Sequence, residues 1–161
     1  MEIRAALPRD FAAIVQLLPN QAELLRVYPK GRHPFTVAQL YELAEARKEL
    51  TVITLHGEII GFASLYGLAP QQRVFIGNVL IAPAHRRQGF GRKLVAHMLH
   101  LGFVKHGLPE VRISVVNENT PALLLYTGLG FEPYAIKPWQ DPRGTRLAYV
   151  HMKLQREKAQ I

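Results

Sequence analysis

The chain has 161 residues, 48% hydrophobic and 20% charged, which fits one globular domain that buries a core without staples. It contains no cysteine, which excludes a disulfide framework, a thiolate nucleophile and cysteine-based zinc sites. Twenty basic against twelve acidic residues leave a formal net charge of +8, so a nucleic-acid partner has to be weighed; yet the basic residues are spread along the chain and no recognition module is visible.

Glu2 to Ala6 reads as a first strand. Pro8 and Asp10 suit a helix start, and Phe11, Ile14, Val15, Leu17 and Leu18 supply an apolar stripe that Pro19 ends. A second helix is expected over Gln21–Val27, then a loop from Tyr28 to Pro34 set by two prolines and a glycine. Thr36 suits an N-cap, with Gln39 three residues on completing a capping-box pattern; Val37, Leu40, Tyr41 and Leu43 would face inward on a helix running to about Lys48. Leu50–Leu55, a turn at His56-Gly57, Glu58–Tyr66 and Gln72–Ile81 read as three antiparallel strands.

The stretch from Val74 to Val95 carries the chemistry. Its β-branched and apolar run, stopped by Pro83, reads as a buried strand. A basic turn follows, and Leu94, Val95, Met98, Leu99 and Leu101 then recur at helical spacing, so the turn feeds a helix N-terminus. The first amides of a helix have no intrahelical partner and sit at the positive end of its dipole, which attracts phosphate. Gly89 and Gly91 allow close approach of an anion, and Arg86, Arg87, Arg92 and Lys93 add charge. The reading is a pyrophosphate cradle; the alternative is an ordinary glycine-rich turn with a solvated basic face.

That helix is expected over about Gly91–His106, with a strand at Val111–Val116 reached by a crossover that favours parallel pairing. Asn117–Gly130 carries another helix, terminated by Gly128 and Gly130. Phe131–Ile136 and Leu147–Leu154 read as closing strands joined by a Pro-rich loop, Lys137–Gly144. One domain over 1–155 and a frayed tail at 156–161 are expected.

The spacing R-x-x-G-x-G at Arg86, Gly89 and Gly91, after a strand ending V-L-I-A-P, resembles the coenzyme A-binding motif of the GNAT superfamily of acyl-CoA-dependent N-acetyltransferases. The run from Asn119 to Phe131 also resembles that family's pattern N-x-x-A-x-x-L-Y-x-x-x-G-F at each fixed letter. Two motifs in the right order are far more specific than either alone.

The resemblance implies a mixed α/β fold: a mostly antiparallel sheet of six or seven strands, splayed between the fourth and fifth, flanked by about four helices. It implies that acetyl-CoA is the acyl donor, with the pantetheine arm along the backbone of Val79, Leu80 and Ile81. The pyrophosphate would rest on Gln88, Gly89, Phe90, Gly91 and Arg92, with Arg86 and Arg87 nearby and Asn119 assisting. Asn119 is equally suited to capping a helix. Tyr126 would act as acid to the leaving thiolate, or else be a core aromatic. The amide near Leu80 would polarise the acyl oxygen.

Many family members carry a glutamate on the strand before the cradle, where this chain has Gly77-Asn78. Asn78 could position a water, and Glu118, His85 and His33 are base candidates whose bland reading is a solvated residue. Tyr28, His33, Phe35 and Trp139 are candidates for the acceptor wall. The basic balance weighs weakly against a polycationic acceptor. A small-molecule or peptide amine is the expected partner, with no metal, nucleic acid or membrane; a cytoplasmic location and a monomer or homodimer are expected. The other readings are an acyl-CoA-binding module without turnover and, further off, a nucleic-acid-binding protein.

Overall fold

The computed structural model describes residues 1–160. Its strands are β1 (Glu2–Ala5), β2 (Lys48–Leu55), β3 (Glu58–Ala69), β4 (Arg73–Ile81), β5 (Glu110–Val116), β6 (Glu132–Gln140) and β7 (Arg146–Gln155). The helices are α1 (Phe11–Gln16), α2 (Gln21–Val27), α3 (Val37–Glu45), α4 (Phe90–His100) and α5 (Thr120–Gly128). The strands form one sheet in the order β1-β2-β3-β4-β5-β7-β6. Every neighbouring pair is antiparallel except β4 and β5, which run parallel because α4 carries the chain across one face between them.

Alternation along the central strands divides the core between the two faces of the sheet. Ile53, Ala63, Ile76 and Ile113 pack with Leu94, Val95, Met98 and Leu99 of α4. Val52, Phe62 and Leu80 turn the other way, against Phe11 and Ile14 of α1, Leu24 of α2 and Leu40 and Leu43 of α3. Among the described residues no helix is long and apolar enough to cross a membrane.

The parallel pair holds together only from Arg73 opposite Glu110 to Ile76 opposite Ile113. On its other edge β4 carries a bulge: Phe62 and Ser64 of β3 lie opposite Leu80 and Gly77, so two residues of β4 span one of β3. Asn78 takes the left-handed conformation this requires, with φ of 56°, which asparagine tolerates better than most residues. The strand bends there, and the second half of β4 leaves β5. This is the splay that the resemblance implies.

Several boundaries differ from those expected. Thr36 caps α3 through Gln39 N–H at 3.2 Å, but the Gln39 side chain does not complete a capping box. It accepts from Arg32 N–H and donates to the carbonyls of Arg32 and Pro34, clamping the preceding loop. Helix α3 stops at Glu45, and Val37 and Tyr41 are exposed rather than inward-facing. The helix expected to reach His106 passes at Leu101 into a π-helical turn, where Gly102 lies so close to Val111 that a Cβ would meet its side chain at 2.7 Å. Strand β6 runs on through Lys137–Gln140, despite Pro138, because it pairs only with β7 and needs no donor on its outer edge. The tail holds a 3-10 turn at Arg156–Lys158, tied by Arg156 N–H to the Pro109 carbonyl; Ile161 lies outside the described residues.

Candidate active site

Beyond Ile76 and Ile113 the diverging strands open a cavity of about 670 Å³. Its lining joins both strands (Gly77, Asn78, Val79, Ser114, Val115) to Asn119 and Tyr126 of the following helical segment. Tyr28, Arg47, Tyr66, Trp139, Tyr149 and His151 also line it. The basic side chains of Arg26, Lys30 and Arg47 border it, and among the described residues no carboxylate does.

Below the open end of β4 a 3-10 turn, Pro83–His85, leads into α4. Gly89 is the N-cap of α4 in the left-handed conformation, φ 86°, with no side chain capping the helix. A Cβ there would meet nothing within 4 Å. Arg87 is left-handed too, with φ of 62°, and Arg87, Gln88 and Arg92 are exposed. The first amides of α4 therefore face a basic, uncovered turn, the arrangement that binds phosphate.

Tyr126 is buried at 6% exposure, edge-on to Phe131, and borders the cavity. Burial pushes its phenol well above the ordinary value of 10, so it stays protonated across the physiological range. Asn119 caps α5 by accepting from Ala122 N–H at 3.4 Å, and also borders the cavity. At the far side the Arg47 guanidinium lies 4.0 Å over the Tyr66 ring. Tyr66 crosses β4 at Gly77, where a Cβ would meet ring carbons at 2.6 and 2.7 Å.

The model of the Acetyltransferase (GNAT) family matches residues 13–131, which include the open half of β4, the cradle and the Tyr126 helix. The chain belongs to the GNAT family. It is 35% identical over 115 residues to a streptothricin acetyltransferase of Streptomyces lavendulae, covering 71% of this chain and 60% of that protein. A [Ribosomal protein bS18]-alanine N-acetyltransferase of Escherichia coli K12 is 29% identical over 85 residues, 53% of this chain and 55% of that one. The chain thus spans about 60% or less of the length of these curated relatives. Among solved structures, a spermidine N-acetyltransferase from Vibrio cholerae superposes with a TM-score of 0.82 at 22% identity, covering 98% and 96% of the two chains. The structure of smu.2055 from Streptococcus mutans gives 0.79 at 25% identity, covering 96% and 99%.

The GNAT framework brings together some of the residues expected at the site and leaves others elsewhere. Val79, Asn119, Tyr126, Tyr28 and Trp139 meet in the cavity, and Leu80 and Ile81 continue the unpaired edge. Asn78 also borders it, but its side-chain amide is committed: it accepts from Ser64 Oγ–H at 2.8 Å and donates to the Val27 carbonyl at 2.8 Å. Arg86 lies in the turn before α4, but its side chain is committed to other partners. Its guanidinium donates to Glu23 at 2.7 and 3.2 Å and to the Ile81 carbonyl at 2.9 Å. Both side chains hold α2, and hence Tyr28, against β4. Phe35 is a core residue edge-on to Tyr28, 5.9 Å between ring centroids. His33, His85 and Glu118 are absent from the cavity lining.

Among the cavity residues that went unremarked in the sequence are Arg47, Ser114, Tyr149 and His151. His151 of β7 hydrogen-bonds through Nδ1 to Ser114 Oγ at 2.6 Å. Burial and then Lys137 hold its imidazole below the ordinary histidine value, hence neutral at pH 7. The Tyr149 hydroxyl is buried without a hydrogen-bond partner among the described residues, and burial followed by Tyr66 pushes it up to about 12. Arg47 lies between α3 and β2 and borders the cavity, stacked on Tyr66. No local pattern marks these residues, because strand pairing 37 positions apart joins Ser114 to His151.

Proposed function

We propose that the chain is an N-acetyltransferase that moves an acetyl group from acetyl-CoA directly to a primary amine, within a complex of both substrates. The observation that carries the reading is the parting of β4 from β5 beyond Ile76 and Ile113, with Tyr126 on the cavity that opens there and the uncapped N-terminus of α4 following β4 in the chain. Acetyl-CoA, as acyl donor, supplies the activated acetyl group as a thioester. The residues present fit it: the α4 amides, Arg87, Gln88 and Arg92 suit the phosphates, and the backbone of Val79, Leu80 and Ile81 suits the amides of a pantetheine arm. Relatives named for acetylating streptothricin, a ribosomal-protein alanine and spermidine support the reaction class.

The chain's own groups divide the work. The amine nitrogen forms a C–N bond as the C–S bond breaks, and the electron pair leaves with sulfur. Tyr126 Oη holds a proton against that sulfur. The burial that raises the phenol raises a thiolate in the same place, so donor and acceptor stay matched. Arg26, Lys30 and Arg47, with no carboxylate beside them among the described lining residues, disfavour an ammonium in the cavity and favour the neutral, attacking amine. Neutral His151 accepts the proton the amine loses, directly or through water, and Ser114 fixes its ring. A backbone amide near Leu80 polarises the acyl oxygen.

Thiol release from acetyl-CoA over pools of small amines, amino acids and peptides tests this. Tyr126→Phe should lower kcat by about 100-fold or more while acetyl-CoA still binds. A protein that binds acetyl-CoA and releases no thiol with any pool is a binding module, and the proposal fails.

A further inference from the structure

Resting on that reading, we propose that the acceptor carries its own carboxylate: it is a free amino acid, whose anionic group is held by Arg47 while its amine faces Tyr126. Arg47 is half-buried at the cavity wall and stacked 4.0 Å over Tyr66. The charged or titratable neighbours that act on it are the phenols of Tyr66 and Tyr28, with no carboxylate among them. Burial raises the Tyr66 phenol above its ordinary value, so it is neutral and no counter-ion. Glu49, two residues along, is turned to Lys105 and His106 instead.

A guanidinium withdrawn from water without an anion is costly, whereas one presented to a ligand carboxylate makes two parallel, charge-assisted hydrogen bonds. The stack on Tyr66 holds its plane in place beforehand, and Gly77 admits the ring beneath it. Arg26 and Lys30 reinforce the sign of the field, and His151 is neutral. A polyamine would find none of the carboxylates needed to hold its charges. The remaining wall (Tyr28, Trp139 and Tyr149) suits an apolar or aromatic side chain on the amino acid.

The experiment compares the twenty free amino acids with their carboxamides and with spermidine, following thiol release from acetyl-CoA and, separately, acetyl-CoA binding. At least one amino acid should exceed its carboxamide by about 100-fold in kcat/KM. Arg47→Gln should erase that ratio through KM while leaving acetyl-CoA affinity unchanged. Arg47→Lys, which keeps the charge and loses the fork, should fall between them. A carboxamide or spermidine taken as well as the acids overturns the inference, as does an Arg47→Gln protein that keeps the ratio. Silence from all twenty amino acids in a protein that binds acetyl-CoA overturns it equally. Failure of the parent reading shows differently, as no acetyl-CoA binding or as no thiol release with any amine at all, carboxamides, spermidine and peptides included.

Discussion

Gly89 concentrates the demands of the cradle in one residue. Its φ of 86° lies where a side chain is strained, and a Cβ there would point into open space at the mouth of α4. Replacement by valine acts twice. The left-handed backbone costs a β-branched residue about 1–2 kcal/mol, read as a fall in Tm of roughly 2–8 °C. The new methyl groups occupy the approach to the helix amides, so acetyl-CoA affinity should drop at least ~100-fold by calorimetry, far more than the strain alone explains. Unchanged affinity would remove the cradle from the proposed mechanism. Gly77 has another task, since the room it leaves belongs to Tyr66. That is the physical reason no carboxylate can stand at this position: any side chain there would displace the ring that carries Arg47.

At the scale of elements, the end of α2 forms part of the cavity wall, and two ties pin the helix to β4. Arg86 joins Glu23 near its start, and Asn78 joins the Val27 carbonyl at its end. Asn78→Ala would leave that carbonyl without its partner and the Ser64 hydroxyl with only a long contact to the Gly77 carbonyl at 3.4 Å, at a cost of about 1–3 kcal/mol, or roughly 2–12 °C in Tm. Denaturant unfolding followed by circular dichroism measures the loss, and a variant as stable as the parent would show the tie to be idle. The elements around the cradle were legible because their signals are local: Pro83 ends a strand, Gly89 opens a helix, and Asn119 caps one. Whatever depends on sheet register was not. Neither the bulge at Asn78, the stack of Arg47 on Tyr66, nor the bond between Ser114 and His151 can be read without knowing which residues lie opposite. Gln39 shows the same limit in a small compass, since a capping-box letter served instead to clamp a loop. Pro138 misled in the other direction, because only an edge strand, an assignment that needs the whole sheet, accommodates it.

The whole molecule should be most stable at neutral to mildly alkaline pH. Burial lowers the pKa of both His97 and His151 below the ordinary 6.5, with His100 and Lys137 as the respective second causes. The unfolded chain therefore binds more protons than the folded one as pH falls through that value. Their contribution is complete above about 6.5 and is lost as pH drops through the folded pKa values. Asp10, held down first by Arg4, and Glu23, held down first by Arg86, add a second loss below the carboxylate range. Thermal denaturation from about pH 4 to 9 should show a plateau above roughly 7 and a decline beginning near about 6.5; a Tm that rises on acidification would contradict it.

The extra residue at Asn78 has a consequence in a different language, that of parity. Val74 and Ile76 point to the α4 face, and unbroken alternation would send Leu80 there as well. Instead Val79 and Ile81 join that face, and Leu80 crosses to α1–α3. Beyond the bulge, odd and even positions have exchanged sides. A gene encoding this chain can therefore change length here only at a cost: loss or gain of a single codon between 77 and 82 would send Val79 and Ile81 to the α1–α3 face and Leu80 to the α4 face, whereas one loss balanced by one nearby gain would restore the count.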